Sequence, residues 1–228
     1  QLTNHLFIYS QMALEDWQLK YRLFSTLKLP FKSPKLLRNG IYLERLPNPI
    51  DIKQLDKAQK CRLIFLGRPV QWKNYDFSVE YLDSKSRTEF TFVYIIPNLT
   101  RGFQNFLDQS RDLDISVITE KTIESIEFFK GDIHVYLTNY GAAVRSGESI
   151  SINCLEMAAI GIPSVVSRFS KTWADLFELG IFQIIEKGNS KNLKEKLMNL
   201  HKERFDEQIK LVRELVSIKH QCEFIQNL

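Results

Sequence analysis

The chain has 228 residues, 44% of them hydrophobic and 12% aromatic, including 16 Phe, which is ample material for a folded core, and no internal repeat or low-complexity tract interrupts it. Lys and Arg number 31 against 27 Asp and Glu, a formal charge of +4 spread along the chain. No basic block long enough for a nucleic-acid arm stands out, although the balance is compatible with anionic ligands or an acidic membrane surface.

The opening segment QLTNHLFIYS has neither a basic leader nor a long apolar core, and no apolar run reaches the roughly 18 residues that span a bilayer. Cys61, Cys154 and Cys222 are odd in number and widely spaced, without a Cys-x-x-Cys pair or a nearby His cluster. They are expected to be buried thiols of a reducing compartment, so the cytoplasm, including the inner face of the membrane, is the expected location.

In chain order, HLFIY and the helix-like ALEDWQLKYRLFSTL form one αβ step that cannot cover both of its faces alone. Residues 1–46 are expected to be the tail of a preceding domain plus a connector, and residues 47–228 a second domain. Pro47 and Pro49 favour extended backbone at this junction. From there, strand-length apolar runs alternate with segments of helical period. CRLIFLG (61–67), FTFVYII (90–96), DISVI (114–118), DIHVYL (132–137), PSVVS (163–167) and IFQII (181–185) read as buried strands. Helices are expected over 76–84, 101–109, 121–129, 151–160 and 171–179, with two more between 190 and 226. This alternation predicts an α/β fold, a Rossmann-like doubly wound parallel sheet with a remnant of another domain attached.

In such a sheet ligands bind beyond the carboxyl ends of the strands. GRPVQWK, just past the first strand, places Arg68 and Lys73 on that loop behind Gly67, two cations suited to a diphosphate. Taken alone they could equally be solvated loop charges. After the strand 132–137, TNYGAAVRSGE leads to a helix beginning between Glu148 and Ser151, whose first amides suit a phosphate or sugar hydroxyl. Glu148 and Glu156 stand eight residues apart, and carboxylates accept hydrogen bonds from ligand hydroxyls. The plain alternatives are a dipole-favoured acid for Glu148 and an exposed helical residue for Glu156. The helix ends at Gly161, ahead of Pro163.

Gly67, Arg68, Lys73, Glu148, Glu156, Gly161 and Pro163 stand in the order and spacing of a Gly-Arg, Lys, E-x7-E and G-x-P pattern. The chain thereby resembles the C-terminal, donor-binding domain of retaining glycosyltransferases of the GT-B fold, family 4, from about Pro47 to its end. The resemblance implies that Arg68 and Lys73 hold the donor diphosphate and stabilise its growing charge, while Glu148 binds the transferred sugar and Glu156 the nucleoside ribose. Glu148, Arg68 and Lys73 would then be the catalytic set. Gly67, Ser149, Ile150 and Ser151 would contact sugar or phosphate, and Thr119 and Glu120 the nucleobase.

Two departures from the pattern concern the donor. The aromatic and glycine after the first acid are Ile150 and Ser151 here, and the glycine after the loop lysine is Asn74.

The resemblance implies transfer from a UDP- or GDP-sugar to a glycan or lipid-linked acceptor in surface polysaccharide synthesis. The acceptor would be held by an N-terminal domain represented here only by its last step, so the chain alone should bind donor but turn over little. Neither cofactor nor metal is expected. Asp112-Leu113-Asp114 spells a D-x-D metal motif but lies before the third strand of a different architecture. A binding module on the same scaffold without catalysis, and a sugar-nucleotide epimerase of related fold, are the alternatives.

Overall fold

A computed structural model describes residues 7–8, 35–36, 40–54, 59–119, 122–138, 151–167, 173–185, 190–203 and 205–219. The central sheet has six parallel strands: β1 (Cys61–Leu66), β2 (Phe90–Ile96), β3 (Ile115–Thr119), β4 (Ile133–Tyr136), β5 (Ser164–Val166) and β6 (Phe182–Ile184). Each lies inside, or within one residue of, a segment expected from the sequence. Their spatial order is β6-β5-β4-β1-β2-β3, so the chain winds outward from β1 to β3 and then returns across β1 to lay down β4. That order is the doubly wound arrangement, and its reversal between β1 and β4 opens a crevice at their carboxyl ends.

The central strands β1, β2, β4 and β5 form where they do because they bury both faces, whereas β3, at the sheet edge and expected to be buried, is only partly covered. Leu63, Phe65, Phe92, Tyr94 and Val135 belong to one apolar layer. Ile64, Val93 and Ile95 belong to the other, with Met157 and Ile160 of the crossover after β4. Residues that alternate in sequence thus face opposite sides of the sheet. Tyr94 is fully buried, and its hydroxyl donates to the carbonyl of Tyr75 at 2.8 Å, which fixes the β1–β2 connection to the sheet.

The helices are α1 (Phe77–Glu80), α2 (Ser84–Arg87), α3 (Arg101–Gln109), α4 (Ile152–Ala159), α5 (Ala174–Glu178), α6 (Ser190–Lys202) and α7 (Ile209–Val216). The single helix expected over 76–84 is two short pieces, because Asp83 caps a new one by accepting from the Ser86 amide at 2.8 Å. Thr100 caps α3 in the same way.

One expectation fails. No helix covers the described part of 121–129; a 3-10 turn at Ile123–Ser125 runs instead into a short strand at Phe129–Lys130. Ile126 and Phe128 are buried while Glu127 between them is exposed, a period of two that an extended chain satisfies and a helix does not. That strand pairs in parallel with Lys53–Gln54.

The segment ahead of the sheet is tied to the end of α7. The Ile41 amide donates to the Val216 carbonyl at 2.8 Å, and the Ile218 amide returns a bond to Ile41 at 3.0 Å. Farther upstream, Phe7–Ile8 pairs in parallel with Lys35–Leu36, the first of which lies within the HLFIY strand. Cys61 and Cys154 are free, buried thiols, and Cys222 lies outside the described residues.

Candidate functional site at the β1–β4 crevice

The last residues of β1 and the first turn of α4 meet at the crevice. Gly67 follows β1, donates its amide to Ile95 at 3.0 Å, and adopts φ +129°, a conformation that side-chain-bearing residues avoid. A Cβ here would lie 3.2 Å from Asn153 Nδ2 and 3.7 Å from Lys73 Nζ. Glycine is therefore required for its backbone angle, and a Cβ would also press on the Asn153 side chain.

The loop after Gly67 is held from several sides. Thr100 Oγ1 donates to the Pro69 carbonyl at 3.3 Å, and the Lys73 amide bonds back to Val70 at 2.9 Å, closing a 3-10 turn at Gln71–Lys73. Asn74 ends that turn with φ 47°, the one positive-φ residue other than glycine among the described residues. Asparagine tolerates this left-handed geometry better than most residues. The departure at this position thus preserves the conformation that a glycine would supply.

The turn presents Lys73 to the crevice. Its Nζ lies 5.1 Å from the Trp72 ring centroid and 5.5 Å from that of Tyr136, the last residue of β4. Arg68 is exposed and makes no ion pair with a described residue.

The opposite lip is α4. Ser151 is buried at its N-cap in extended backbone, and its side chain makes no capping bond, so the helix starts at Ile152. Asn153 Nδ2 donates to the Leu66 carbonyl at 2.8 Å, joining the first turn of α4 to the end of β1. Glu156 follows nearly one turn later, half-buried rather than exposed. Burial, and secondarily the charge of Glu124, push its carboxyl up to about 7. Thr119 is exposed at the end of β3, and Glu124 lies on the 3-10 turn that follows.

The structure thus gathers Gly67, Lys73 and the start of α4 with Ser151, places Arg68 on the same loop, and sets Glu156 within electrostatic reach of the segment after β3. Glu120, Glu148, Ser149 and Ile150 lie outside the described residues. Sequence reasoning missed Asn153, Tyr136 and Glu124. Asn153 was the accessible one, a polar residue in the first turn of an otherwise apolar helix.

Below the crevice, His134 is fully buried in β4, with Nδ1 3.0 Å from Ser164 Oγ. Burial first, then the charge of Lys73, push its imidazole down to about 3, so it is neutral. At the amino ends of the strands, Asp114 of the D-x-D sequence accepts from Thr91 and pairs with Lys60 at 3.5 Å, far from the crevice and engaged in holding β2 to β3. Among the described residues, no group of three or more His, Cys, Asp and Glu could hold a metal, and no helix is long and apolar enough to cross a membrane.

No protein-family model and no curated protein sequence matches the chain. Solved structures do. A sucrose-phosphate synthase from Thermosynechococcus elongatus superposes with a TM-score of 0.65 at 10% identity, covering 97% of this chain and 56% of its own. The lipopolysaccharide outer core galactosyltransferase WaaB, in its apo form, gives 0.64 at 12%, covering 98% and 61%. HepE from Anabaena, solved in complex with UDP-glucose, gives 0.61 at 12%, covering 99% and 64%. The chain therefore has a glycosyltransferase-like fold of the GT-B kind and spans roughly three-fifths of the length of these neighbours.

Proposed function

We propose that this chain is the donor-binding part of a retaining glycosyltransferase that moves a sugar from a nucleotide-sugar to a glycan or lipid-linked acceptor. The observation that carries the reading is the convergence of Lys73, Gly67 and the first turn of α4 on the β1–β4 switch point. There a side-chain-free strand end lies between an ammonium and helix amides, an arrangement suited to a diphosphate. A neighbour with the same fold was solved with UDP-glucose bound, which favours the same ligand class.

On this reading Lys73 and Arg68 neutralise the diphosphate, and their effect grows as the glycosidic bond breaks and the leaving group gains charge. Glu156 accepts hydrogen bonds from the ribose hydroxyls, and Thr119 with Glu120 borders the base. Glu148, Ser149 and Ile150, which precede α4 in sequence, would meet the transferred sugar. Residues 1–46 would connect to an acceptor-binding domain, whose closure over the crevice would complete the site. The chain alone would bind donor with little turnover.

Saturation-transfer NMR of the chain with UDP, GDP and ADP tests the ligand class. Base-selective transfer to one nucleotide is expected, and silence from all three would count against a donor site.

A further inference from the structure

The Lys73 ammonium lies within cation–π distance of two rings, Trp72 from its own turn and Tyr136 from β4. The second ring has a built support. His134 pairs in register with Ile64, and Tyr136 stands two residues on, so both project to the same side of the sheet. Their rings stack, with centroids 6.4 Å apart and planes 22° from parallel. The imidazole is in turn held by its hydrogen bond to Ser164 on the neighbouring strand. An apolar residue at the end of β4 would fill the same layer, but it would offer no ring face to the ammonium.

We infer that Trp72 and Tyr136 are positioning residues, an aromatic bracket resting on the His134–Ser164 pair that fixes the Lys73 ammonium at the mouth of the β1–β4 crevice. The inference rests on the donor-site reading for the ligand that Lys73 meets, but the bracket itself is a property of the free protein. It gives the long, four-carbon lysine stem a single direction before the ligand binds, so less rotamer freedom is lost on binding. The neutral state of His134 is part of the device. A protonated imidazole under Tyr136 would repel the ammonium that the ring attracts.

The test uses the full chain with ¹³Cε-labelled lysine, the Lys73 resonance being assigned with Lys73→Arg. In the free protein its ε-methylene signal is expected upfield of the other lysines from the ring currents. Tyr136→Phe, which keeps the ring face, should retain that shift; Tyr136→Leu should lose much of it, and Trp72→Leu part of it. Affinity for whichever of UDP, GDP and ADP the wild-type chain binds should fall about tenfold in Tyr136→Leu and recover in Tyr136→Phe, the size of the rotamer freedom that an unbracketed lysine gives up on binding.

A Lys73 signal among those of the surface lysines, or one unmoved by loss of either ring, overturns the bracket. Should Tyr136→Leu fail to fold, Trp72→Leu, at a half-buried position, decides the matter alone. If the wild-type chain binds none of UDP, GDP and ADP, the donor reading fails while the resonance still decides the bracket. If one of them binds but Tyr136→Phe and Tyr136→Leu weaken it equally, the bracket fails and the donor reading stands.

Discussion

Asn153 Nδ2 donates to the backbone carbonyl of Leu66 at 2.8 Å, so that one side chain sets the distance between the first turn of α4 and the end of β1. These elements are 87 residues apart in sequence and form the two lips of the crevice. The bond matters to the site because Gly67, next to Leu66, has no side chain of its own with which to hold that spacing.

Replacing Asn153 with Ala should therefore cost about 1–2 kcal/mol of stability, the loss of one hydrogen bond with its acceptor left half-buried. Urea unfolding of the two chains measures it. Nucleotide binding should weaken alongside, because the lips are no longer fixed. An unchanged midpoint would show that the carbonyl finds water instead.

Much of the frame was legible because it rests on local rules. The six strands are short runs rich in apolar residues and bounded by turn residues, and their alternation with helical segments predicts the doubly wound sheet. The crossover at 121–129 was misread because Ile123 and Ile126 suit a helix while Ile126 and Phe128 suit a strand. The partner that decides between them, Lys53–Gln54, lies some 75 residues away in sequence. At the crevice, the placement of Gly67 and Lys73 follows from their position just past the first strand, as the sequence predicts. Asn153 and Tyr136 were not legible, because their roles come from partners on other elements, Leu66 and Lys73, which only the folded chain brings near. The left-handed Asn74 explains why its departure from the glycine pattern is conformationally mild.

Glu156 provides a pH test. Its carboxyl has an ordinary value of 4.5 and is pushed up to about 7 in the folded chain by burial and then by Glu124. The folded protein holds this proton more tightly than the unfolded chain does. That advantage is complete below 4.5 and disappears as pH rises through about 7. Glu156→Gln does not titrate, so its stability relative to wild type should grow between those limits, by about 1–2 kcal/mol once partial exposure is allowed for. Urea midpoints at pH 5 and pH 8 give the result, and a difference that stays constant would contradict it. Glu124→Gln should narrow the gap.

A fully buried carboxyl lies at the amino end of the sheet. Asp132 is fully buried, with Oδ1 3.2 Å from Arg62 Nε, within ion-pair distance but not aligned as a hydrogen bond, while its Oδ2 accepts from the Phe129 amide at 2.8 Å. Burial raises its carboxyl to about 7 against the opposing pull of Arg62. Arg62→Met leaves this acid without its cation and should cost about 3–5 kcal/mol. The cost should be larger at pH 8 than at pH 5, where Asp132 takes up a proton. Arg62→Met combined with Asp132→Asn should recover much of the loss. A single variant as stable as wild type at pH 8 would show that the pair contributes nothing.

The central claim is that Lys73 at the β1–β4 crevice meets a nucleotide diphosphate, and calorimetric titration tests it most directly. The chain and its Lys73→Ala variant are titrated with UDP, GDP and ADP, and with the matching nucleosides that lack phosphates. One diphosphate should bind selectively and lose about tenfold or more in affinity in the variant, as expected for a single charge-assisted contact, while nucleoside binding is unchanged. Failure of all three to bind, or binding indifferent to the loss of Lys73, would contradict the assignment.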